Sequence, residues 1–159
     1  TDISKLVTDF DLKKYILLFP FCSPHLTQKK WPHYNHLIKL IKDKYKDQYK
    51  IIIAPGPDEI NDAKEIDAHC ILDNGKSINI SQLASLIKDS SFVVANDTGP
   101  AHMAAHLGKI GTVIFGHHTT PKKVSIDTDK FKSISVDDLN NLTADKFYSE
   151  INERLKLIN

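Results

Sequence analysis

The sequence predicts an α/β protein, a Rossmann-like doubly wound parallel sheet of about six strands. Three observations lead there. Apolar, β-branched runs recur along the chain and alternate with stretches of helical periodicity. The runs are nearly continuous rather than alternating, the pattern of strands covered on both faces. The length, 159 residues, suits one domain of ordinary size.

The runs are YILLFPF (15–21), KIIIAP (50–55), HCILD (69–73), FVVAN (92–96), GTVIFG (111–116) and FKSISV (131–136). Between the first two, Tyr34, Leu37, Ile38, Ile41 and Tyr45 share a helical face, and Pro32 suits a first helical position. A short helix is expected over 57–66. Ser81 is placed to cap a helix that buries Leu83, Leu86 and Ile87. Positions 99–107 form a short helix of small residues. Thr143 is placed to cap a last helix with Phe147, Ile151 and Leu155 on one face. Residues 1–13 read as a linker or an appended helix, and 14–159 as one domain. The chain starts at Thr1 rather than Met, which reads as a piece of a longer protein.

Composition narrows the function. Hydrophobic residues make up 41% and charged residues 26%, as in soluble globular domains. A net charge of +1 supplies no field to draw in nucleic acid, so none is expected as a partner. No apolar run approaches the length of a membrane span, and no leader peptide is visible. Cys22 and Cys70 read as two free thiols of a reducing cytoplasm. Arg154 is the single arginine, so an anion site here must use lysine and backbone amides rather than a guanidinium fork.

In a 3-2-1-4-5-6 strand order, strands 1 and 4 are neighbours, and ligands bind beyond their carboxyl ends. Strand 1 runs into PFCSPHLTQKKWP and strand 4 into NDTGPAH, so the two most unusual loops fall side by side. The second loop opens a helix, whose first amides and dipole suit an anion. There Gly99 permits close approach, Thr98 can cap and Pro100 fixes the first turn; a plain capped helix start explains Asp97 and Thr98 equally well. The first loop carries Ser23, Thr27, Lys29 and Lys30. Lysine near a helix N-terminus is unfavourable unless an anion is bound, although solvated surface lysines are the other reading. Trp31 is expected to pack the helix entrance against the sheet. Asp97 would repel phosphate but accept from hydroxyls, so a diphosphate with an adjoining polyol, a nucleotide sugar, would satisfy both loops. His102 reads either as a donor to such a ligand or as a buried imidazole, and His106 as packing or surface. With His117 and His118 these histidines lack a zinc-ligand spacing, so no metal is expected.

The stretch SQLASLIKDSSFVVANDTGPAHMAAHLGKIGTVIFG resembles the bacterial lipopolysaccharide heptosyltransferases, glycosyltransferase family 9. Asp97, Thr98, Gly99, His102, Ala105 and Gly108 stand at the positions of that family's Asp-Ser/Thr-Gly-x-x-His-x-x-Ala-x-x-Gly signature. Lys29, Trp31 and Pro32 match its Lys-x-Trp-Pro segment, and Gly56, Pro57 and Glu59 its third loop. The chain departs from the pattern at Phe21, where a small residue is usual, and at Gly116-His117, where the family has Gly-Pro.

The resemblance implies the C-terminal, donor-binding half of a GT-B glycosyltransferase that inverts the anomeric centre and works in cell-envelope polysaccharide assembly. It implies that Lys29 with Ser23 and Thr27 holds the diphosphate and that Glu59 faces the nucleoside. Asp97 would face the sugar hydroxyls, Thr98 and Gly99 would support the phosphate through backbone amides, and His102 would complete the substrate site. ADP-heptose is the default donor, and no cofactor is needed. A lipid-linked saccharide acceptor, and the catalytic base, would come through an N-terminal half. The residues given would then bind donor without transferring it, with no catalytic residue of their own. The implied location is cytoplasmic, at the inner face of the inner membrane, where peripheral contact with lipid would bring the acceptor. Two other readings compete: a non-catalytic nucleotide-binding module, and a metal-dependent hydrolase built on the histidines.

Overall fold

The computed structural model describes residues 2–21, 31–96, 98–115 and 128–158. The strands are β1 (Tyr15–Phe19), β2 (Lys50–Ile53), β3 (His69–Cys70), β4 (Phe92–Asn96), β5 (Gly111–Phe115) and β6 (Phe131–Ser135). They form one sheet in the order β3-β2-β1-β4-β5-β6. Every pairing is parallel. The doubly wound order expected from the apolar runs is therefore the one observed. Register between β1 and β4 sets Leu18 beside Val94 and Phe19 beside Ala95. Pro20 and Asn96 thus leave the sheet at the same level.

The helices are α1 (Ser4–Asp9), α2 (Tyr34–Tyr45), α3 (Ile60–Ala63), α4 (Ile80–Asp89), α5 (Gly99–His106) and α6 (Ala144–Ile158). Successive strand residues point to opposite faces, so each strand feeds two cores. On one face Ile16, Leu18, Ile53, Phe92, Val94 and Ile114 pack with Leu37 and Ile41 of α2 and with Phe147, Ile151 and Leu155 of α6. On the other, Leu17, Phe19, Val93, Ala95 and Val113 pack with Leu6 of α1, Leu86 and Ile87 of α4, and Ala101, Ala104 and Ala105 of α5. Residues Ile3, Leu6 and Leu12 are buried, so the segment before β1 contributes to this second core.

Several element boundaries differ from those the sequence suggests. Helix α2 begins at Tyr34 with His33 at its N-cap, and Pro32 lies in the preceding turn instead of opening the helix. The cause is Trp31, which is 2% exposed and donates its indole N–H to the Leu142 carbonyl at 2.8 Å. Its edge also meets the rings of Tyr34 and Phe147, so the chain turns to bury it before the helix starts. That matches the packing role expected of Trp31.

Helix α4 is capped by Asn79, not by Ser81. The Asn79 Oδ1 accepts from the Gln82 N–H and the Gln82 Oε1 accepts from the Asn79 N–H, both at 2.8 Å, a reciprocal pair that Ser81 inside the first turn cannot make. The expected helix over 57–66 is a 3-10 turn, Pro57–Glu59, followed by the four residues of α3. The HCILD run yields only the two residues of β3. The cap at Thr143 forms as expected, with its Oγ1 accepting from the Lys146 N–H at 3.1 Å. Cys70 is a free thiol whose half-burial raises its pKa and keeps it protonated; Cys22 lies outside the described residues.

Candidate functional site

At the carboxyl end of the sheet the segments after β1, β2 and β4 enclose a cleft of about 250 Å³. Leu18, Phe19, Pro20 and Phe21 form one wall; Ala54, Pro55, Gly56 and Glu59 form another; Ile78, Leu83, Thr98 and Pro100 complete it. Pockets for whole drug-sized ligands run to about 300–1,000 Å³. The space bounded by these residues therefore suits one apolar-faced moiety rather than an entire nucleotide sugar.

Glu59 is held in place by its own loop. Its Oε1 accepts the Gly56 N–H at 2.8 Å, and its N–H donates to the Gly56 carbonyl at 3.0 Å. The loop is thereby closed on itself, and the carboxylate lies at the wall of the cleft with acceptor capacity to spare.

The bend after β4 is fixed by Asn96, which is wholly buried. Its Nδ2 donates to the Pro20 carbonyl at 3.0 Å, and its Oδ1 accepts the Tyr34 hydroxyl at 2.8 Å. The Thr98 Oγ1 donates to the Asn96 carbonyl at 3.4 Å, so it does not cap α5 as expected. The Thr98 carbonyl instead accepts from the Ala101 and His102 amides. Pro100 has no N–H to offer, and among the described residues the Gly99 amide at the head of α5 has no acceptor.

The glycines of this region sort by cause. Gly108 has φ 70, and α5 ends there in a Schellman motif, with Gly108 N–H to the Ala105 carbonyl and Lys109 N–H to the Ala104 carbonyl. Gly99 differs: its φ is not positive, it is exposed, and among the described residues a Cβ there would meet nothing within 4 Å. Neither its backbone conformation nor the described residues around it call for glycine at position 99.

Of the residues singled out from sequence, Glu59 and Thr98 line the cleft. Gly99 heads α5 beside it, and His102 lies one turn further along, half-buried. Ser23, Thr27, Lys29 and Asp97, with Lys30, His117 and His118, lie outside the described residues. Among the described residues no three His, Cys, Asp or Glu side chains are grouped to hold a metal ion. None of the described helices is long and apolar enough to cross a membrane. Sequence reasoning passed over Asn96, which reads as an ordinary polar strand end, and over the cleft role of Ile78 and Leu83. The signal for the latter was available, because the segment after β3 must emerge at the same end of the sheet as those after β1 and β4.

The glycosyltransferase family 9 (heptosyltransferase) profile matches residues 2–148. The chain belongs to that family. Solved structures agree in fold. The ADP-heptose LPS heptosyltransferase II of E. coli is 20% identical, with 97% of this chain and 51% of that chain covered at a TM-score of 0.77. The E. coli heptosyltransferase WaaC with ADP is 22% identical, with 88% and 44% covered at a TM-score of 0.72. A family 9 glycosyltransferase from Veillonella parvula is 13% identical, with 97% and 50% covered at a TM-score of 0.73. The chain thus spans about half the length of the GT-B structures it matches and has the fold of one half of them. No curated protein shows a significant match.

Proposed function

We propose that this family 9 domain is the donor-binding, C-terminal half of an inverting glycosyltransferase that takes a nucleoside diphosphate sugar, with ADP-heptose as the default donor. The observation that carries the reading is Gly99. An exposed helix-initial amide stands beside the cleft at the switch point, and a glycine there is required neither by φ nor by packing against the described residues. A phosphate drawn against a helix start accounts for it, since backbone amides can close on the anion only where no side chain intervenes. The apolar walls and Glu59 then suit the base and ribose, with the carboxylate accepting from hydroxyl or amino groups. Lys29 with Ser23 and Thr27 serves the diphosphate, Asp97 the sugar hydroxyls, and Thr98 and His102 the remaining contacts. An ADP complex and an ADP-2-deoxy-2-fluoro heptose complex of the similar E. coli WaaC support the choice of adenine.

No cofactor enters this chemistry. Inversion at the anomeric carbon needs a base against the acceptor hydroxyl and an acceptor held in line. We assign both to an N-terminal half that meets a lipid-linked envelope saccharide at the cytoplasmic face of the membrane. The 159 residues alone are then expected to bind donor and not to transfer it.

Calorimetric titration with ADP, UDP and GDP tests the reading. ADP is expected to bind once per chain and more tightly than the other two. Gly99→Ala should weaken ADP by about tenfold, the equivalent of about 1.4 kcal/mol, with no fall in melting temperature. Lys29→Ala should cost on the order of 1.5–3 kcal/mol and Lys30→Ala less, because one charged hydrogen bond is lost in the first and none in the second. Absence of binding by all three nucleotides would overturn the assignment.

A further inference from the structure

We propose that Asn96 is a positioning residue, a buried clamp that sets the spacing between the two sides of the nucleotide site; the proposal rests on the donor-binding reading above. The Pro20 carbonyl can only accept, so the amide nitrogen of Asn96 must face it, which leaves the amide oxygen for the Tyr34 hydroxyl. Pro20 and Tyr34 lie on either side of the segment that carries Ser23, Thr27 and Lys29 in sequence. Both flanks of that segment are thus tied to the side chain that immediately precedes Asp97, while the Asn96 carbonyl holds Thr98 at the head of α5.

The sheet does not need an amide at this position. Asn96 is 0% exposed, stands beside Ile114 in the β4–β5 register, and ends a strand whose other residues are apolar. An apolar residue there would keep the strand and leave the Pro20 carbonyl and Tyr34 hydroxyl without this partner. Tyr34 is itself braced, because its ring packs edge-on against Trp31, whose indole is tied to Leu142. The clamp therefore reaches from the bend after β4 to the segment before α6.

The test compares Tyr34→Phe with Tyr15→Phe in the full chain. Each removes a buried phenol hydroxyl, the first with its bond to Asn96 and the second with its bond to the Leu86 carbonyl at the opposite end of the sheet. Both should lower the melting temperature. Only Tyr34→Phe should weaken ADP, by on the order of fivefold to tenfold, and only it should speed amide exchange at Ala101 and His102, whose N–H groups bond to Thr98. Asn96→Leu removes both amide bonds without adding a charge beside the diphosphate, so it should reproduce the ADP loss and the faster exchange of Tyr34→Phe. Equal ADP affinity and equal exchange in the two tyrosine variants would overturn the clamp. If the unaltered chain binds no ADP, the donor reading fails, and the exchange comparison alone decides: faster exchange confined to Tyr34→Phe supports the clamp, and no difference overturns it.

Discussion

At the carboxyl end of the sheet the Tyr34 phenol bonds Asn96; at the amino end the Tyr15 phenol bonds the Leu86 carbonyl at 2.5 Å. The devices are alike, one buried hydroxyl each, yet they join different things. Tyr15 fastens a strand to the last turn of α4 and closes the core there. Tyr34 and Asn96 fasten segments that have left the sheet to one another, around a cleft. Interactions at the amino end should therefore register as stability alone, and those at the carboxyl end as ligand affinity as well.

The largest test of that division is Gly111, which opens β5 at the amino end. A Cβ there would stand 2.4 Å from the Val93 carbonyl oxygen and 2.5 Å from Phe131 Cε2. Backbone and a buried ring would both have to shift, so Gly111→Ala should cost about 3 kcal/mol, at the upper end for overpacking. For a domain of this size that is a fall of roughly 6–12 °C in melting temperature, measured by calorimetry. ADP affinity of the folded fraction should be unchanged; a matching loss of affinity would break the comparison.

A smaller effect comes from Tyr15→Phe, at about 1–2 kcal/mol for one buried hydrogen bond whose acceptor is left behind. This variant also carries a pH signature. Burial, with the charge of Asp89 adding to it, pushes the Tyr15 phenol well above its ordinary pKa. The unfolded phenol loses its proton near pH 10, while the folded one keeps it. The contribution is fully present below about pH 10 and is lost as pH rises beyond it. The fall in melting temperature above about pH 10 should be shallower in Tyr15→Phe than in the unaltered chain, though not abolished, because burial also raises Tyr45 and Tyr148.

The smallest effect has the opposite sign. Thr112 follows Gly111, is fully buried, and among the described residues its hydroxyl has no partner. Asn96 on the neighbouring strand is equally buried with both ends of its amide satisfied. Thr112→Val removes an unpaired polar atom at little change in shape and should raise stability by about 1 kcal/mol, or roughly 2–4 °C. An unchanged or lower melting temperature would show that the Thr112 hydroxyl is better accommodated than its surroundings suggest.

How much of this was legible depended on whether the signal was summed or local. Strand order followed from six apolar runs, because burial on both faces marks every residue of a strand. Helix starts depended on single competitions that composition does not settle. Asn79 and Ser81 are both good caps, and only the reciprocal partner at Gln82 separates them. Thr98 looked like a cap, but its hydroxyl turns back to Asn96. Glu59 was singled out through motif spacing and Thr98 already through the helix start after β4, and the structure sets both at the cleft. Asn96 could not be found that way, because its importance lies in two partners distant in sequence.

The two-residue length of β3 has a consequence for how these molecules behave toward one another. β3 pairs only with Ile52 and Ile53, so the Lys50–Ile51 half of β2 has no strand on its outer side among the described residues. Around that half-open edge stand Lys13, Lys14, Lys42, Lys46 and Lys50, with Asp11 and Asp47 among them. A strand from a second molecule could add there only by desolvating ammonium groups, which is costly. Lysines at the far end of the sheet from the cleft would thus guard against edge-to-edge aggregation, and their neutralisation would leave the backbone of β2 open to it.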